Sequence, residues 1–161
     1  FNGEASNEDF RLWLGNDISD DYFQFITNDL ISMVDVLRFI RQEKPAVVVI
    51  DSLQMLVESH NGRNAINSIL NQFKSIKNDM EYGCPHIILI SQLTKGGELY
   101  GSNLIRHLVD FVGKVRHIKD DDREGDSEFV FECVDKNRAG STPRSVVFEH
   151  GESGVIYKRA L

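Results

Sequence analysis

Three polar clusters have the residue types and spacing to handle a nucleotide. Asp51 follows the apolar run AVVVI at 46–50, and a carboxylate at the carboxyl end of a buried strand stands where open α/β sheets place their ligands. There it can hold magnesium beside phosphates, directly or through water. Ser91 and Gln92 close a second apolar run, HIILI. A polar pair at the tip of a neighbouring strand would face the same crevice. Its amide could touch a γ-phosphate or an attacking water on one side and the following loop on the other. Lys136 and Arg138 leave the end of a third run one residue apart, on the same side of a strand. Followed by Ala139 and Gly140, two such cations could reach across a subunit boundary as an arginine finger does. Each cluster also has a plain structural reading, as a strand-ending acid, a strand terminator and a solvated turn.

These residues need strands under them, and the hydrophobic pattern supplies strands. The uniform β-branched run ending at Asp51 has the character of a strand buried on both faces of a parallel sheet. Ile66, Ile69, Leu70, Phe73, Ile76 and Met80 then mark a long amphipathic helix closing near Gly83. The run 86–91 follows at once, so strand, helix and strand imply a right-handed parallel crossover. Upstream, Ser6 or Asn7 caps a helix carrying Phe10, Leu12, Trp13 and Leu14, and YFQFIT at 22–27 has strand composition. Asn28 or Asp29 caps another helix, with Leu30, Ile31, Val34, Leu37 and Ile40 on its apolar face, stopped by Lys44 and Pro45. The glycine-rich segment 92–103 reads as a loop. Beyond it the pattern changes to two antiparallel pairs, VDFVGKVRHI with EFVFECVDK and RSVVFE with GVIYK. The expected class is α/β, a largely parallel sheet flanked by helices with antiparallel C-terminal strands, in one domain over 1–161.

Composition narrows the partners. A chain of 161 residues with 41% hydrophobic side chains can bury one core. The net charge of −7 gives no global attraction to nucleic acid, so DNA contact must come from a local basic patch. No apolar run approaches the roughly 18–20 residues that cross a bilayer, and the start FNGEASNEDF has no signal-peptide character. A cytoplasmic protein with no membrane partner is expected. Cys84 and Cys133 have no CxxC or Cys/His spacing and read as reduced core thiols.

Four segments together resemble the RadA/Sms family of DNA repair ATPases. FNGEAS looks like that family's strand-to-helix motif and KPAVVVIDSLQ like its Walker B segment. TKGGELYG followed by HLVD resembles its glycine-rich loop and next helix, and KNRAG its KNRFG signature. More distantly, SQL and KNRAG are similar to segments of RecA and the DnaB-type replicative helicases. The resemblance implies a RecA-like ATPase core, with ATP and Mg2+ as cofactors. It further implies a role in DNA repair or recombination, single-stranded DNA as partner and a homo-oligomeric ring, hexameric by expectation. It assigns Glu4 to polarising the attacking water, Asp51 to the magnesium ion, and Asp51, Ser52 and Gln92 to the nucleotide. Lys136 and Arg138 become a pair acting in trans. Arg63, Lys95 and the backbones of Gly96, Gly97 and Gly101 become DNA-facing elements of the central channel. A replicative-helicase motor and a non-catalytic RecA-like assembly module are the alternatives.

The sequence departs from the pattern in three ways. Ala139 stands where the signature has phenylalanine, Gln92 stands where RadA/Sms proteins usually have histidine, and no GxxxxGK[ST] occurs. That motif is what cradles the β and γ phosphates. A domain truncated before Phe1, just past its phosphate-binding loop, is therefore expected, with a natural degenerate paralogue as the alternative. Such a piece by itself would bind ATP poorly and hydrolyse essentially none.

Overall fold

The computed structural model describes residues 1, 23–26, 32–58, 65–92, 103–118, 128–138, 140, 145–151 and 154–160. They form two compact units, Phe1–Leu108 and Val109–Leu161. The proposed helix over 7–14 lies outside the described residues.

In the first unit, helix α1 spans Met33–Glu43 and buries Met33, Val36 and Ile40. Its cap is Ser32, not the expected Asn28 or Asp29, and Val34, expected inside, is exposed. The Ser32 hydroxyl accepts the Asp35 N–H at 3.3 Å and donates to the Asp35 carboxylate at 2.5 Å. This local closure offers the first turn an acceptor within reach, which fixes the start. Residues 23–26 form no strand, contrary to their composition.

Ser32 holds the Asp35 carboxyl below its usual range, with Arg38 adding a smaller pull in the same direction. A carboxyl depressed in the folded state contributes stability above its ordinary value of 3.8 and loses it as the pH falls through the folded-state value. Loss of the cap in Ser32→Ala is expected to lower stability near neutral pH. It should also weaken the acid dependence below pH 3.8, as urea denaturation in both ranges would show.

Strand β1, Val47–Asp51, pairs in parallel with β2, His86–Ile90, in the register Val47↔His86 to Asp51↔Ile90. Between them come the short helix α2, Leu53–Glu58, and helix α3, Ala65–Ile76, which buries Ala65, Ile69, Leu70, Phe73 and Ile76. A 3-10 turn at Met80–Tyr82 ends on Gly83 at φ 78°, where a Cβ would lie 2.9 Å from that of Lys44. Met80 is exposed there rather than part of the helical face, because α3 stops at Ile76. β1 is buried on one face only: Val48 and Ile50 are inside, while Val47 and Val49 are exposed. The expectation of burial on both faces fails at Val47 and Val49, which are 52% and 38% exposed. Helix α4, Asn103–Leu108, closes the unit and buries Ile105.

The second unit is an antiparallel meander in the order β3-β4-β5-β6. Its strands are Phe111–Ile118, Glu128–Asn137, Ser145–Gly151 and Gly154–Ala160. Both expected strand pairs are present. Val112, Val130, Cys133 and Val147 are buried, and cross-strand ring contacts join Phe111 to Phe131 and Phe129 to Phe148. Such pairs are the units that stabilise a sheet. Cys133 is the core thiol that was expected; Cys84 is only half-buried, at φ 52° beside Gly83. Among the described residues no helix is long and apolar enough to cross a membrane.

Candidate functional site

The site in the first unit is built on the carboxyl ends of two parallel strands. The backbone N–H of Asp51 donates to the Phe1 carbonyl at 2.9 Å, and the Phe1 amino group donates to the Val49 carbonyl at 2.9 Å. Parallel neighbours bond in this way, so Phe1 occupies the edge of β1 opposite β2 at this one position. Among the described residues the parallel sheet has two strands, β1 and β2. Phe1 also packs edge-on against Phe39 of α1, at 5.5 Å between ring centroids.

Ser52, directly after Asp51, is buried, and the peptide joining the two is cis. Its carbonyl accepts the Met55 N–H at 3.1 Å and so opens α2. One residue into that helix, Gln54 reaches across to the second strand. Its Nε2 donates to Ser91 Oγ at 3.3 Å and to the Gln92 carbonyl at 3.4 Å. Its Oε1 is buried without a partner. An orphaned buried acceptor costs free energy, which the two bonds of Nε2 partly offset. Ser91 and Gln92 do stand at the same end of the sheet as Asp51, since Ile90 pairs with Asp51. The tie through Gln54 was missed in the sequence; its one signal was its place three residues after the acid in IDSLQ.

In the second unit, Lys136 lies within β4, half-buried, opposite Val112. The register steps from Val112↔Lys136 to Gly113↔Cys133 and so skips Val134 and Asp135. A bulge of this kind bends a strand and re-aims the residues beyond it. Arg138 is the first residue past the strand and is exposed. Its Nη1 donates to the Asp110 carboxylate at 2.9 Å, and its backbone N–H to the Asp110 carbonyl at 2.9 Å. Glu4, Arg63, Lys95, Gly96, Gly97 and Gly101 lie outside the described residues.

No protein-family model matches the sequence. Among curated proteins, the DNA repair protein RadA of Treponema pallidum is 29% identical over 125 residues, covering 75% of this chain and 26% of that protein. The DNA repair protein RadA of Aquifex aeolicus is 24% identical over 131 residues, covering 78% of this chain and 27% of its own length. The chain is similar to RadA-type DNA repair proteins. It spans about a quarter of the length of these RadA relatives.

Similarity to RadA proteins joins a mixed architecture, with one parallel and one antiparallel sheet, that is compatible with the α/β class. The described oxygen-bearing side chains at the carboxyl end of β1 are the half-buried Asp51 carboxylate and the buried Ser52 hydroxyl. Magnesium at such sites is held by one or two protein oxygens with phosphates and water completing its shell. No group of three or more His, Cys, Asp or Glu side chains able to hold a metal by itself occurs among the described residues.

Proposed function

We propose that this chain forms the hydrolytic, sensing and subunit-contact part of a RecA-like, ATP-dependent DNA repair motor. The observation that carries the reading is the polar end of the parallel sheet. There Asp51 ends one strand, Ser91 and Gln92 follow the end of the next, and Gln54, three residues after Asp51, bonds Ser91 and the Gln92 carbonyl, in a chain similar to two RadA proteins. Asp51 and Ser52 would hold the magnesium of a bound nucleotide. That ion would neutralise charge developing on the phosphates. Glu4 would orient the attacking water. Gln92, sharing a backbone-linked contact with Gln54, would pass the state of the site to the segment after it, where Lys95, Gly96, Gly97 and Gly101 meet single-stranded DNA with Arg63. Lys136 and Arg138 would act on the nucleotide of a neighbouring copy in a homo-oligomeric ring.

The test is ATP hydrolysis by the full-length protein with and without single-stranded DNA. Stimulation of several-fold by DNA, lost in Lys95→Ala but with basal hydrolysis kept, is the expected result. Hydrolysis indifferent to DNA would sink the motor reading, and its complete absence in the presence of ATP and Mg2+ would favour a non-catalytic assembly module. Fork unwinding at a rate matched to hydrolysis would favour a replicative-helicase motor instead.

A further inference from the structure

We propose that Asp110 is the positioning residue for Arg138, fixing the direction in which its guanidinium leaves the sheet. This rests on the reading of Arg138 as a group acting in trans. Phe111 opens β3 and Asn137 closes β4, and the two residues are register partners. Asp110 and Arg138 are therefore the next pair outward, and they are joined twice. One bond runs from the Arg138 backbone N–H to the Asp110 carbonyl, and the other from Nη1 to the Asp110 carboxylate, each at 2.9 Å. The backbone bond prolongs the ladder past its last strand residue, and the side-chain bond aligns the guanidinium against the carboxylate.

An exposed ion pair of this kind does little for stability. Both side chains are about half exposed, at 56% and 49%, so a stabilising role does not explain the double attachment. Arginine offers five N–H donors in a planar fork. One carboxylate oxygen engages one nitrogen here, and the fork retains donors for a phosphate approached from the other edge. The carboxylate also removes rotamer freedom from a long side chain before any ligand arrives. A charged group that must meet a reacting phosphate then spends less order in doing so. The bulge at Val134 and Asp135 serves the same end, because it sets the twist of β4 just before Lys136.

The experiment uses the full-length protein in four forms, wild type, Asp110→Ala, Asp110→Glu and Arg138→Ala, with the Asp110→Ala/Arg138→Ala double variant. The readouts are kcat and KM for ATP, thermal unfolding and ring assembly by light scattering. Asp110→Ala should lower kcat about tenfold, the equivalent of some 1.4 kcal/mol in the barrier, with KM, unfolding temperature and assembly unchanged. Asp110→Glu should recover part of the loss, and the double variant should be no slower than Arg138→Ala. Wild-type kcat in Asp110→Ala beside an impaired Arg138→Ala overturns the proposal alone. So do losses that multiply in the double variant, or a kcat loss that only follows lost assembly. An unimpaired Arg138→Ala overturns the trans-acting reading, and the proposal with it.

Discussion

Asp51→Asn in the full-length protein is expected to lower ATP turnover about a hundredfold or more, roughly 2.7 kcal/mol of barrier, with little change in folding. The substitution keeps the size and hydrogen-bonding reach of the side chain while removing the charge that would face a nucleotide-bound cation. Asp51 is half-buried at the end of β1, and its backbone is held by Phe1 on one edge of the strand. The side chain can therefore change without loss of the strand that carries it. A matching result in trans would follow from mixing. Asp51→Asn subunits keep Lys136 and Arg138, and Arg138→Ala subunits keep Asp51, so mixed rings contain boundaries in which both halves of a site are intact. Hydrolysis by the mixture well above that of either variant alone is the expected outcome, read at fixed total protein. Turnover at wild-type rates in Asp51→Asn would remove Asp51 from the site altogether. Failure of mixing with both variants inactive and both assembled would instead remove the trans assignment of Arg138.

The elements beneath these residues were legible because burial and strand period leave a strong trace. The runs ending at Asp51 and Ser91 emerged as parallel neighbours, and the two late pairs as an antiparallel meander. Helix ends were less legible. Ser32 rather than Asn28 or Asp29 caps α1, since any hydroxyl or carboxamide in that polar stretch satisfies the composition rule and only the closing bonds to Asp35 decide. The exposed face of Val47 and Val49 was invisible for a different reason. A β-branched run records what a strand tolerates, and which layers pack on it is a tertiary outcome. In each unit the types of Asp51, Gln92 and Arg138 suggested chemistry, whereas Gln54, bonded to Ser91 and the Gln92 carbonyl, and Asp110, bonded to Arg138, are polar groups of ordinary appearance. Their contacts are to residues 37 and 28 positions away, and no local pattern encodes such a distance.

The largest stability effect should arise one residue before the acid. Ile50 is fully buried in β1, Phe1 bonds the backbone on either side of it, and β2 pairs with it through Leu89. Ile50→Ala removes three carbons from a site that sheet neighbours on both edges prevent from collapsing, so transfer and cavity terms both apply. A loss of about 3 kcal/mol is expected, seen as a fall of roughly 10 °C in the unfolding temperature. Ile50→Val should cost only about 1 kcal/mol. The pair separates scaffold from chemistry. If β1 serves only to present Asp51, Ile50→Val should hydrolyse ATP at near wild-type rates below its transition. Asp51→Asn should do the reverse, unfolding like wild type while turning over almost nothing. An Ile50→Ala protein as stable as wild type would show that the packing around β1 is looser than its complete burial implies.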